Sequence, residues 1–201
     1  MVQRFKVARS GSARVLTPEQ ITAVFTELSH PYRLIAQLCY YTAARVGEVT
    51  LLQRSDIDLA ADAIVYRAGN TKTGDSRTAF ICAPLHTALI EAHLPPIGPL
   101  FPSPRACGRR CLDGSQRGII SRQAVDRTFR TVFDRVGITG ASTHSFRRSM
   151  ATHLSREGLT LADIAQITGH RDLAALSHYL DPDSERAIAA LARVSQRIGT
   201  E

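Results

Sequence analysis

Two five-residue segments do most to limit how this chain can fold. Ala63-Ile64-Val65-Tyr66-Arg67 and Arg77-Thr78-Ala79-Phe80-Ile81 alternate apolar and polar side chains with the period of a strand, and a Gly- and Thr-containing stretch joins them. They predict a β-hairpin with Lys72 at its tip. The surrounding sequence has helical periodicity. Thr17-Pro18-Glu19-Gln20 supplies an N-cap hydroxyl, a proline at the first helical position and a glutamine in the capping-box place, ahead of an apolar face of Ile21, Val24, Phe25 and Leu28. A second helix is expected from Pro31 to Ala44 and another from Pro84 to His93. Ser121 is placed to cap a helix with Val125, Phe129, Val132 and Phe133 on one stripe, ended by Gly137. Thr143 is expected to cap the next, which Gly158 ends. Leu161, Ile164, Ala165 and Ile167 mark a short helix closed by Gly169, Leu173–Tyr179 a brief one, and Ser184 to Arg197 an amphipathic terminal helix. The expected class is mainly α with a small antiparallel β-sheet (α+β): a basic arm over 1–16, then one domain over 17–201.

Charge narrows the partners. The net charge is +7 with a pI near 9.7, and residues 101–150 hold ten arginines against three acids, so that segment carries the whole excess. Such a balance favours a polyanion. Hydrophobic content of 44% and charged content of 21% argue against wholesale disorder. No apolar run is long enough to span a membrane, and Met1-Val-Gln-Arg-Phe-Lys6 lacks the apolar stretch of an export signal. Cys39, Cys82, Cys107 and Cys111 are few and uneven, which suits a reducing compartment. Cys107 and Cys111 with His86 and His93 match no common zinc spacing, so no metal site is expected. The reading is a soluble, cytoplasmic protein with no membrane partner.

Several polar residues stand where such residues need a reason. Arg45 falls at a helix–helix junction among apolar residues, with Glu48 as the nearest carboxylate to hold its guanidinium. His144 and Arg147 lie three apart at a helix start, one face of an element whose free N–H groups and dipole suit a phosphate. Lys72 is one of only two lysines in the chain, and lysine, unlike arginine, can give up a proton near neutral pH. His153 and His178 read as structural, and Tyr40 and Tyr66 as packed tyrosines.

In order along the chain these residues resemble the tyrosine recombinases, the phage-integrase family, whose catalytic domain carries Arg, Lys, His-x-x-Arg, His and Tyr. Arg45 stands within Thr-Ala-Ala-Arg-Val-Gly-Glu-Val, with Glu48 at the family's acidic position; Lys72 is at the hairpin lysine. His144-Ser-Phe-Arg147 fits the His-x-x-Arg box, Gly169-His170 the Gly-His element, and Tyr179 follows nine residues later where the nucleophile belongs. Ala43-Ala44 replaces the more usual Gly-Leu, read as a packing difference. The separate N-terminal DNA-binding domain of most members is missing, so the chain resembles the short single-domain members, such as fimbrial-switch invertases, or a fragment or degenerate relative.

The resemblance implies roles that phosphodiester chemistry makes intelligible. Attack at phosphorus requires neutralised non-bridging oxygens and a protonated leaving oxygen. Arg45 and Arg147, always charged and fork-shaped, suit the first task, and His170 can add a hydrogen bond. His144 is the candidate for proton transfer with Tyr179, the nucleophile, and Lys72 for protonating the departing 5′ oxygen. Arg122, Arg127, Arg130 and Arg148 are the expected DNA-binding side chains. The product implied is a 3′-phosphotyrosyl link that needs no cofactor. Double-stranded DNA is the implied partner, with a dimer or tetramer of the chain on it, accessory DNA-bending proteins, and a nucleoid location. Two other readings stay open: relaxation of supercoils in the manner of a type IB topoisomerase, and a DNA-binding regulator that kept the fold without turnover.

Overall fold

The computed structural model describes residues 13–71, 74–103, 118–169 and 173–177. Helix α1 (Pro18–Glu27) begins at the anticipated capping box, in which Thr17 Oγ1 accepts from the Gln20 N–H while Gln20 Oε1 accepts from that of Thr17. Helix α2 (Tyr32–Tyr41) is the central element and packs on α1, α3, α4, α5 and α6. It stops three residues before the expected Ala44, because Ala43 turns into the left-handed region at φ 49°. Helix α3 (Val46–Thr50) follows, then a 3-10 turn (Arg54–Asp56) and the sheet.

The sheet is antiparallel in the order β1 (Ile57–Asp58), β2 (Ala63–Tyr66), β3 (Arg77–Phe80), with Ile64 opposite Ala79 and Tyr66 opposite Arg77. The predicted hairpin is thus present, with a third strand that two residues are too short to announce by periodicity. Ile64, Tyr66 and Ala79 face the core; Val65 and Phe80 face outward. The Tyr66 hydroxyl meets Thr42 Oγ1 at 2.7 Å, which ties the sheet to the end of α2.

Helix α4 (Ala83–Glu91) leads to α5 (Arg122–Arg135), α6 (Thr143–Arg156), α7 (Leu161–Thr168) and α8 (Leu173–Ser177). Ser121 caps α5 as anticipated. The cap of α6 is Ser142 rather than Thr143: its Oγ accepts from the His144 N–H, and its own N–H donates to Ser145 Oγ. Phe146 is wholly buried between Phe25 of α1 and Phe129 and Phe133 of α5, with ring centroids 5.3 Å from Phe129. Burying one such ring contributes roughly 2–3 kcal/mol and fixes the rotation of α6 about its axis. A smaller cluster of Ala151, Ile164, Ala165 and Leu176 joins α6, α7 and α8.

The expected arm does not reach residue 16. Leu16 is 0% exposed in the core, its N–H donates to Ser149 Oγ at 2.7 Å, and Arg14 Nη1 donates to Thr139 O. Residues 13–16 therefore belong to the packed body. The expected terminal helix, Lys72, His170, Tyr179, Cys107 and Cys111 lie outside the described residues. No helix among the described residues is long and apolar enough to cross a membrane.

Candidate active site

The site is built at the end of α2. With Ala43 in the left-handed conformation the chain reverses, Arg45 becomes the N-cap of α3, and Glu48 sits one turn further on. Glu48 is only 3% exposed. Its Oε2 accepts from the Arg45 N–H and its Oε1 from Arg45 Nη1, both at 2.9 Å. The carboxylate therefore caps the helix and orients the guanidinium at once, leaving the Arg45 side chain 29% exposed. The pairing expected from the sequence is present.

Arg147 arrives from α6, held in register by Phe146. It is 2% exposed, and its Nη1 donates to the carbonyl of Ala43 at 2.5 Å. Two arginines a hundred residues apart in sequence thus meet the same reversal, one bonded two residues ahead of the other. His144, in the first turn of α6, is exposed, so the i, i+3 pair divides between surface and interior.

Arg77 is the residue that sequence reasoning passed over. Its guanidinium donates to Thr42 O at 3.2 Å and to Ile167 O at 3.5 Å, lies 3.7 Å from Glu48 Oε2, and stacks 4.4 Å above the Tyr66 ring. A signal existed: Arg77 is in phase with Ala79 and Ile81, on the inward register of β3, where an arginine needs a partner.

The arginines expected to face a polyanion take different places. Arg122 is exposed at the start of α5, and its Cδ lies 3.0 Å from where a Cβ on Gly47 of α3 would be. Arg127 is exposed. Arg130 is paired with Asp126 at 2.8 Å, which raises its pKa. Arg148 donates to Ala13 O at 2.8 Å and so helps to hold residues 13–16. His153 is half-buried and bonds Tyr40 through Nδ1 at 2.9 Å, a structural histidine joining α6 to α2. Among the described residues no group of His, Cys, Asp and Glu is arranged to hold a metal ion.

A helical domain with a small antiparallel sheet, Arg45 held by a buried glutamate and Arg147 bonded to the Ala43 carbonyl two residues away define a class, and the comparisons agree with it. Residues 14–186 match the phage integrase family, and the chain belongs to that family. It is 31% identical over 149 residues to the tyrosine recombinase XerD of Mycobacterium tuberculosis (strain CDC 1551 / Oshkosh), an alignment covering 73% of this chain and 46% of that protein. Its fold is similar to that of XerA recombinase (TM-score 0.68, 23% identity, 90% of this chain and 66% of the other). It is also similar to the Tn1549 transposon integrase in complex with transposon right end DNA (TM-score 0.74, 13% identity, 93% and 67%). The chain spans about half the length of the sequence relatives it matches, from 46% to 58%.

Proposed function

We propose that this chain is the catalytic part of a site-specific DNA recombinase, cleaving and rejoining double-stranded DNA through a 3′-phosphotyrosyl bond to Tyr179. The observation that carries the reading is the convergence of Arg45 and Arg147 on one backbone reversal, with Glu48 orienting the first. Two fixed guanidinium groups at one place match the two non-bridging oxygens of a phosphodiester, whose developing charge they offset without reorganising. Membership of the phage integrase family supports the same reaction, and it supplies the assignments of Lys72, His170 and Tyr179. His144, exposed in the first turn of α6, serves proton transfer, and Arg122 extends the cationic surface along α3. The bond energy stays in the phosphotyrosyl link, so rejoining needs neither nucleotide nor metal. Strand exchange requires two copies or more on DNA, with accessory bending proteins where the site demands them, in a nucleoid setting.

Covalent trapping tests the reading. A duplex selected from a random-sequence pool for tight binding is nicked so that the short cleaved product diffuses away. The wild-type chain should form an adduct, and Tyr179→Phe should form none while binding the duplex equally well. Binding without an adduct in both would leave a DNA-binding regulator. Efficient relaxation of a supercoiled plasmid lacking the selected sequence would favour topoisomerase-like action instead.

A further inference from the structure

Arg77 holds together parts of the molecule that the sequence keeps far apart. It stands at the start of β3, five residues after Lys72, and only 15% of its side chain is exposed. One guanidinium meets the end of α2 at Thr42 O, the last turn of α7 at Ile167 O, and the Glu48 carboxylate that orients Arg45. Ala43, the next residue after Thr42, receives Arg147. The fit to α7 is close. Gly169 has φ 69°, and a Cβ there would lie 2.5 Å from Arg77 Cδ, so this turn needs glycine both for its backbone and for Arg77 to pass. His170 is the next residue in the chain.

The charges add a second role. Glu48 is buried between two cations, with Arg45 on Oε1 and Arg77 near Oε2. Were Arg77 absent, the ion pair left to the buried carboxylate among the described residues would be the one with Arg45. The field of that carboxylate would then cancel more of the attraction between Arg45 and a phosphate. Arginine suits the place because its planar fork reaches several acceptors at fixed angles, which an ammonium cannot.

The geometry points to Arg77 as a positioning residue of the proposed strand-cleavage reaction. It fixes the Ile167–Gly169 end of α7 against the Arg45–Glu48 unit, and it offsets the Glu48 charge so that the unit presents a net positive field to the DNA phosphate. It does not itself touch the phosphate. The inference rests on the recombinase reading for its catalytic half, while its structural half stands without DNA.

The experiment has two arms. In the DNA-free chain, amide hydrogen exchange across residues 161–169 should quicken on the order of tenfold in Arg77→Gln, with α1 unchanged. Unchanged exchange in α7 overturns the positioning. If α1 loosens too, Arg77→Lys carries the comparison, since it keeps the charge and loses the fork. In single-turnover trapping on the nicked duplex, Arg77→Gln should slow adduct formation on the order of tenfold to a hundredfold, with duplex affinity within about threefold of wild type. Adding Glu48→Gln to Arg77→Gln should recover part of that rate, because the uncompensated carboxylate is gone. A purely structural role predicts no recovery, and a double variant no faster than Arg77→Gln overturns the charge argument. A wild-type chain that traps no adduct removes the recombinase reading, and the exchange arm still decides the positioning.

Discussion

Ala43 occupies a backbone conformation that its own methyl group resists. At φ 49° an L-residue costs roughly 1–2 kcal/mol, whereas glycine is free there but loses about 0.5–1 kcal/mol more in chain entropy on folding. Ala43→Gly should therefore gain up to about 1 kcal/mol, seen as a higher urea midpoint. Ala43→Val should lose about 2 kcal/mol or more, because branching worsens the clash at a wholly buried position. A lower midpoint for the glycine variant would show that the methyl's packing outweighs its strain. Reading Ala43-Ala44 in the sequence as a packing difference missed this, since alanine gives no sign of which side of φ it occupies. Glu48 offers a second test beside it. Glu48→Ala leaves Arg45 and Arg77 without their buried carboxylate and should cost about 3 kcal/mol. Arg45→Ala should cost less, because its own N–H and Arg77 still partner Glu48. Denaturant midpoints in the reverse order would contradict that division of partners.

Elements were legible where their signals are local. The caps at Thr17 and Ser121, and the glycine end at Gly169, rest on chemistry within three residues and fall where the sequence places them. The α6 cap slipped by one because Ser142 and Thr143 are chemically alike and only the helix axis chooses between them. How elements join is less visible. The α2–α6 joint sets Tyr40 against His153, and burial pushes the His153 pKa down from its ordinary value, helped by Arg156 and opposed by the Leu16 backbone and Glu19. Burial also pushes Tyr40 up to about 12, so the phenol stays protonated across the neutral range. Since the folded state holds the imidazole neutral, its contribution is fully present above the unfolded value near 6.5. It is lost as pH falls through the lower folded value. The drop in urea midpoint between pH 7.5 and pH 5.5 should consequently be smaller in His153→Gln than in wild type. Equal drops would place the pH dependence on other groups.

Across the whole molecule, composition locates the excess charge but not what each arginine does. The sequence points the arginine excess of residues 101–150 at a polyanion, yet folding gives several of these side chains partners within the chain. Arg147 is buried on Ala43 O, Arg148 holds Ala13 O, Arg135 pairs with Glu27 of α1 at 3.0 Å, and Arg130 pairs with Asp126. All of these but the Arg130–Asp126 pair depend on contacts distant in sequence, which a charge count cannot reveal. Arg122 differs, exposed and seated against Gly47 of α3, beside the Arg45–Glu48 unit. Arg127 follows five residues later, about 140° further round α5, and so turns away from α3. If the cationic surface follows the site, the two arginines should separate in a salt titration of duplex binding. Arg122→Gln should lower the slope of log K against log salt by about 0.9, the release from one phosphate contact, while Arg127→Gln should leave it nearly unchanged. Equal losses would mean that α5 lies along the DNA rather than end-on to the site, and a wild-type slope near zero would remove phosphate contacts from the account of binding altogether.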